Sequence, residues 1–251
     1  IHHAQSKPPE VENKAIARCI EMVRDVGGRL FIVHLTTAEG VEMVGAARGA
    51  GLDVLAETCT HYLLFTEEML RREDGIKWIC SPPLRDQATQ DRLWTALSNG
   101  VLTQVTSDDA AYSWEATLYG RDRFDLCPNG MGGIEPRFSI LYSEGVARGR
   151  LSLPQFVELV STNPARNFGL YPNKGTLLPG ADADIVLFDP SVTWTMGQAN
   201  SHSNNDWHAY EGIEIKGQIR QVYSRGQLII DGDHCLAEKG RGRYLHRKLP
   251  S

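Results

Sequence analysis

The chain has 251 residues, 41% of them hydrophobic and 23% charged, the make-up of an ordinary soluble globular protein of one or two domains. Its net charge of −5 leaves no basic face for a nucleic-acid backbone, and no apolar run reaches the roughly 20 residues that span a bilayer. Five cysteines, Cys19, Cys59, Cys80, Cys127 and Cys235, are odd in number and form no C-x-x-C pair, which reads as free thiols of a reducing cytoplasm. Residue 1 is Ile, and "IHHAQSKPPEVENK" has no signal-peptide core, so a processed chain or a piece of a longer one is expected.

Pro8-Pro9-Glu10 predicts a helix start, with apolar spacing through Ala15, Ala17, Ile20 and Val23 and a stop at Gly27-Gly28. "RLFIVHL" predicts a strand with both faces covered. Residues 37–50 predict a helix, and "LDVLAETCTHYLLF" the next strand region. A polar helix over 67–73, the loop "CSPPLRDQ", a helix over 91–98 and a third strand, "VLTQVTSD", follow. This alternation predicts a parallel α/β sheet with right-handed crossovers. Residues 112–136 form a long polar, Gly-rich loop of the kind that is usually functional. Two helices come next, "EPRFSILYSEGVARG" and "SLPQFVELVSTNPARNFGL". Beyond Pro172 the pattern turns β-rich with Gly and Asp turns, which places a domain boundary there.

Two strands end on chemistry. His34 closes "FIVH", and Asp108 closes "QVTSD" two strands later. In parallel sheets ligands bind outside the carboxyl ends of the strands. Imidazole and carboxylate are the usual donors for a catalytic divalent ion. Each residue taken alone also has a structural reading, as a hydrogen-bonded strand end or as a helix N-cap, and Asp109 could cap as well as Asp108.

"FIVHLTTAEGVEMV", "ETCTHYLLF", "CSPPLRDQATQDRLW", "CPNGMGGIEPRFSILYSEGV" and "VSTNPARNFGLYPNKGTLLPGADADIVLFDP" together resemble the hydantoinase/dihydropyrimidinase family of cyclic amidohydrolases. The resemblance implies the C-terminal portion of a (β/α)8 TIM-type barrel over residues 1–172. Part of a small β-sandwich domain would follow over 173–251. It implies hydrolysis of the ring amide C–N bond of a hydantoin or dihydropyrimidine by a hydroxide activated at two divalent metal ions, of which zinc is the expected kind. His34 matches a metal ligand at the end of the sixth strand. Asp108 matches the eighth-strand ligand that also shuttles the proton. Ser81 and Asn129 match residues whose backbone groups hold the amide edge of the ring. Cys59 and His61 read as packing residues.

The family pattern also calls for a His-x-His pair, a carboxylated lysine bridging the metals and a further histidine. None of these has a counterpart here: of His2, His3, His34, His61, His202, His208, His234 and His246, only His34 falls at a ligand position, that of the sixth strand. The expectation is therefore an incomplete site, inactive and associating when this chain is alone, within a cytoplasmic parent that forms a homo-oligomer and binds a small cyclic amide. A non-enzymatic dihydropyrimidinase-related adaptor and an allantoinase- or dihydroorotase-like activity are the alternative readings. "SDDAAY" departs from the usual sequence after the strand-end aspartate, so the substrate stays open.

Overall fold

The structure is a computed structural model and describes residues 1–249. A short helix α1 (His2–Ser6), which the sequence pattern does not predict, precedes α2 (Pro9–Val26). Pro9 stands at the start of α2 and Glu10 and Glu12 in its first turn, where a proline loses no bond and acids meet the helix dipole. Ile16 and Ile20, one turn apart, are its buried positions.

The chain then lays down β1 (Arg29–Ile32), α3 (Ala38–Gly49), β2 (Asp53–Cys59), α4 (Thr60–Leu64), α5 (Gln87–Ser98) and β3 (Gln104–Thr106). The three strands are parallel and stand in the order β1-β2-β3. Thr37 caps α3 by accepting from the Gly40 amide at 3.1 Å. Asp86 caps α5 by accepting from the Thr89 amide at 2.8 Å, which starts that helix earlier than the expected residue 91. The strand expected over 52–65 ends at Cys59, opposite Thr106. Among the described residues no partner strand continues beyond that pair, and residues 60–64 satisfy their own backbone as a helix instead. The helix expected over 67–73 is a 3₁₀ helix, Glu67–Arg71.

Val54, Ala56, Val105, Leu35, Val44 and Leu102 are fully buried and form the apolar heart of this unit. Behind the end of β1 lies a buried polar knot. Glu12 accepts from the Thr36 amide at 2.7 Å and the Thr36 hydroxyl at 2.5 Å. Arg85 donates to Glu12 at 3.1 Å, to Thr36 Oγ1 at 3.1 Å and to the Lys7 carbonyl at 2.8 Å. Three segments far apart in sequence are thus tied together directly beside His34.

The chain forms two compact units, Ile1–Arg137 with Met196–Ile213, and Phe138–Thr195 with the residues from Glu214 onward. The boundary expected at residue 172 falls inside the second unit. In the first unit, α6 (Trp114–Leu118) lies within the long loop. The second unit starts in α7 (Arg137–Leu141), which passes into a π-helical turn, Tyr142–Val146. Residues 153–167 run as α8 (Leu153–Val157), a second π turn, Glu158–Thr162, and α9 (Asn163–Asn167). Its antiparallel sheet has the order β4 (Ile185–Thr195), β5 (Glu214–Ser224), β6 (Gln227–Asp231), β7 (His234–Cys235). Arg225 and Gly226 join β5 to β6 with φ of 50° and 76°, the pair of positive angles that a tight hairpin turn requires. Phe138, Tyr142, Phe156 and Phe188 pack edge to face at 4.6–5.9 Å. Gly217 lets the Phe188 ring in, since a Cβ there would lie 2.2 Å from it.

Candidate active site

β1 ends at Ile32, but the chain stays beside β2, where the Leu35 amide donates to the Glu57 carbonyl at 2.8 Å. His34 is the kink between, with φ of 41°. Asp108 is the equivalent kink after β3, with φ of 45°. Arg225 in its hairpin is the only other non-glycine with positive φ among the described residues. Such backbone costs on the order of 1–3 kcal/mol and persists where the surroundings impose it, commonly at functional sites. Both kinks follow the carboxyl ends of parallel strands with β2 between them, so they occupy the same edge of the sheet.

The tandem aspartates divide their work. Asp109 Oδ1 accepts from the Gly133 and Ile134 amides at 2.6 and 3.2 Å and so anchors the long loop. The Asp108 side chain is exposed and accepts no hydrogen bond among the described residues. Glu57, on β2 between the two kinks, is absent from the residues that the sequence motifs pick out. Gln104 Nε2 and Thr106 Oγ1 donate to its carboxylate at 2.6 and 3.0 Å. Burial pushes the Glu57 carboxyl up, those two donors and His34 hold it down, and the Asp108 charge raises it. Glu57 therefore lies within electrostatic reach of both strand-end residues. An acid inside the mostly apolar run "VLAETC" is the signal that points to it.

Ser81 and Asn129, 48 residues apart, meet directly: Ser81 Oγ donates to Asn129 Oδ1 at 2.8 Å. The Gly130 amide donates to the Ile79 carbonyl at 2.8 Å and zips the same two loops. Gly130 carries φ of 129°, and a Cβ on it would lie 2.4 Å from that of Ala110, so this approach needs glycine. Ala110 in turn donates its amide to the Met131 carbonyl at 3.2 Å. The Asn129 loop thereby lies against the residue two places after Asp108. The Cys80 thiol, next to Ser81, also feels the Asp108 charge. A second strap holds the long loop. Glu135 accepts from Ser201 Oγ, the His202 amide and His202 Nδ1 at 3.0, 2.8 and 2.6 Å. Asp206 accepts from the Trp114 amide at 2.8 Å, and Trp207 Nε1 donates to the Tyr112 carbonyl at 2.8 Å.

Cys59 is fully buried, and burial pushes its thiol far up, the opposite of what a nucleophile needs. His61 is 1% exposed, and neither ring nitrogen has a partner among the described residues. Burial, then the His34 charge, pulls it down to about 3, so the folded protein holds it neutral. An unfolded histidine titrates at 6.5. The stability that His61 contributes is thus complete above pH 6.5 and falls as the pH drops from 6.5 towards 3. At pH 5 the loss amounts to ~2 kcal/mol. Melting curves at pH 7.5 and 5.0 check this: His61→Gln shows a smaller drop than wild type, and equal drops contradict it.

The donors expected for a metal are one imidazole, His34, and one carboxylate, Asp108, on the same edge of the sheet. Among the described residues no group of three or more His, Cys, Asp or Glu side chains stands close enough to hold an ion. These two fit a divalent ion chemically but give only part of the three or four protein ligands it takes. This chain alone is expected to retain zinc weakly; metal analysis after dialysis checks it, and one tightly held zinc per chain contradicts it.

The family model "Amidohydrolase family" matches residues 2–229 of the chain. The chain belongs to the amidohydrolase family. It is 43% identical to a D-hydantoinase of Ralstonia pickettii over 99% of its own length and 55% of that relative. A D-hydantoinase of Geobacillus stearothermophilus is 40% identical over 98% of the chain and 53% of the relative. Among solved structures, a dihydropyrimidinase from Brevibacillus agri superposes with a TM-score of 0.95 at 41% identity, covering 98% of this chain and 54% of that one. An L-hydantoinase (dihydropyrimidinase) from Arthrobacter aurescens gives 0.91 at 31% identity, covering 96% and 53%. This amidohydrolase chain thus spans about half the length of the relatives it matches, and its parallel sheet and helices are part of a TIM-type barrel. No helix among its described residues is long and apolar enough to cross a membrane.

Proposed function

We propose that the chain is part of a metal-dependent cyclic amidohydrolase that opens the ring amide of a hydantoin or dihydropyrimidine. Residues 1–172 would contribute to its barrel and 173–251 to its β domain, apart from the segment 196–213, which packs with the first unit. The observation that carries the reading is the pair of left-handed kinks, His34 and Asp108, on one rim of a parallel sheet, in a chain 43% identical to a D-hydantoinase. A pair of divalent metals, zinc by the donor types, would supply Lewis acidity and an activated water when bound. His34 and Asp108 would hold part of that pair.

The rest belongs to the chain's own groups. Asp108, exposed and free of hydrogen-bond donors, can take a proton from the attacking water and return it to the leaving ring nitrogen. The backbone groups of Ser81 and Asn129, in loops pinned to each other, would hold the amide edge and keep the ring oriented for attack. Cys59 and His61 stay neutral and apolar in behaviour and take no step. The parent enzyme would be a cytoplasmic homo-oligomer. Incubating the complete protein with hydantoin and with dihydrouracil tests the reading through release of the ring-opened ureido acid. Absence of that product from both, with metal supplied, contradicts it.

A further inference from the structure

Lys7 sits on the short arm before α2 and plays no part in the chemistry above. Its Nζ donates to Ser81 Oγ at 2.7 Å, and no carboxylate pairs with it among the described residues. Other half-buried lysines here do find acids: Lys77 meets Asp74 at 3.3 Å, and Lys174 meets Asp182 at 2.9 Å. Lys7 is also held in place from both sides. His3 Nε2 donates to the Cys80 carbonyl at 2.8 Å, and Arg85 grips the Lys7 carbonyl at 2.8 Å.

We propose that Lys7 is a positioning residue for ring-amide binding: its ammonium anchors the Ser81 hydroxyl that donates to Asn129 and so locks together the two loops assigned to the substrate. This rests on the function proposed above. Hydrogen-bond polarity is consistent along the chain of contacts. An ammonium only donates, so Ser81 Oγ must accept from it. The single Ser81 proton is then directed to Asn129 Oδ1 at 2.8 Å. Asn129 Nδ2 is left to donate to the Cys127 carbonyl at 3.1 Å. Every polar atom along Lys7–Ser81–Asn129–Cys127 has one consistent role. The charge at its head polarises the Ser81 hydroxyl and strengthens the next bond. The backbone bond from Gly130 to Ile79 pins these loops once; Lys7 supplies the second pin and sets the angle between them.

The test uses the complete protein with Lys7→Met, which keeps the stem and drops the charge, Lys7→Arg, which keeps a charged donor, and Ser81→Ala. Backbone hydrogen exchange is read at residues 79–81 and 129–131, and KM and kcat are read with a cyclic amide. Lys7→Met is expected to raise exchange in both loops and to raise KM roughly tenfold, the scale of one lost charge-assisted bond. It should change kcat by less than about twofold, because the bond acts alike on bound substrate and transition state. Lys7→Arg recovers most of the loss. Lys7→Met combined with Ser81→Ala is no worse than the worse single change, since both break one chain. Unchanged exchange in the two loops overturns the inference, as does a full loss in Lys7→Arg or additive losses in the pair. A wild-type protein that opens no cyclic amide defeats the functional reading, and the exchange measurement still decides for or against Lys7.

Discussion

Asp108→Asn in the complete protein is expected to lower turnover of a cyclic amide by roughly a thousandfold or more, about 4 kcal/mol of barrier. The substitution keeps the size of the side chain and its strand-end kink. Under the proposed function it removes a ligand charge and the proton carrier at once, and Asp109 cannot substitute because it is already spent on the Gly133 and Ile134 amides. Steady-state kinetics at saturating metal measure the effect. Asp109→Asn serves as the contrast. It weakens the loop anchor without touching the proton path, so its loss should be much smaller and should appear partly as a lower melting temperature. Retention of more than about a tenth of the wild-type rate by Asp108→Asn, a loss below ~1.4 kcal/mol, contradicts the role given to Asp108.

The second large effect concerns stability. Arg85→Ala is expected to destabilise the protein by about 3–5 kcal/mol, since it strands the Glu12 carboxylate without its counter-charge. The two side chains are only 8% and 12% exposed, so water cannot replace the lost partner. The Thr36 amide and hydroxyl would still donate to Glu12, which keeps the loss within that range. A fall in melting temperature of roughly 10 °C follows for a domain of this size. Replacing both partners with apolar residues, Glu12→Leu with Arg85→Met, should recover part of it. A drop of one or two degrees for Arg85→Ala would show that the knot is wetter than its burial indicates.

The parts that are legible in the sequence are those built from neighbours in the chain. An apolar run that halts on His34, a second that halts on Asp108, and the helices between them are local patterns. They suffice to infer a parallel sheet with both residues on one edge. What stays hidden depends on pairs far apart. The Glu12–Thr36–Arg85 knot joins residues up to 73 apart, and the Trp114–Asp206 bond joins residues 92 apart. Each of these polar residues, taken alone, looks like one that simply faces water. The same holds for Lys7, whose place beside Ser81 follows from a contact 74 residues apart. The strand expected to run through His61 stops at Cys59 because β3 stops pairing at Thr106, a fact about the partner and not about "THYLL". Residues 196–213 are expected with the β region that surrounds them in sequence. They belong instead to the first unit, through bonds from Ser201, His202, Asp206 and Trp207 to a loop some 65–95 residues earlier.

Whether His34 and Asp108 belong to a metal site that opens ring amides is tested most directly by one rate. It is the rate of hydantoin and dihydrouracil opening by the complete protein, stripped with a chelator and then titrated with zinc. The account predicts that chelation abolishes turnover and that added zinc restores it, with saturation near two equivalents for wild type. His34→Ala is predicted to regain only a small fraction under the same titration. Undiminished turnover in the stripped wild-type protein, or full recovery of His34→Ala, would contradict it.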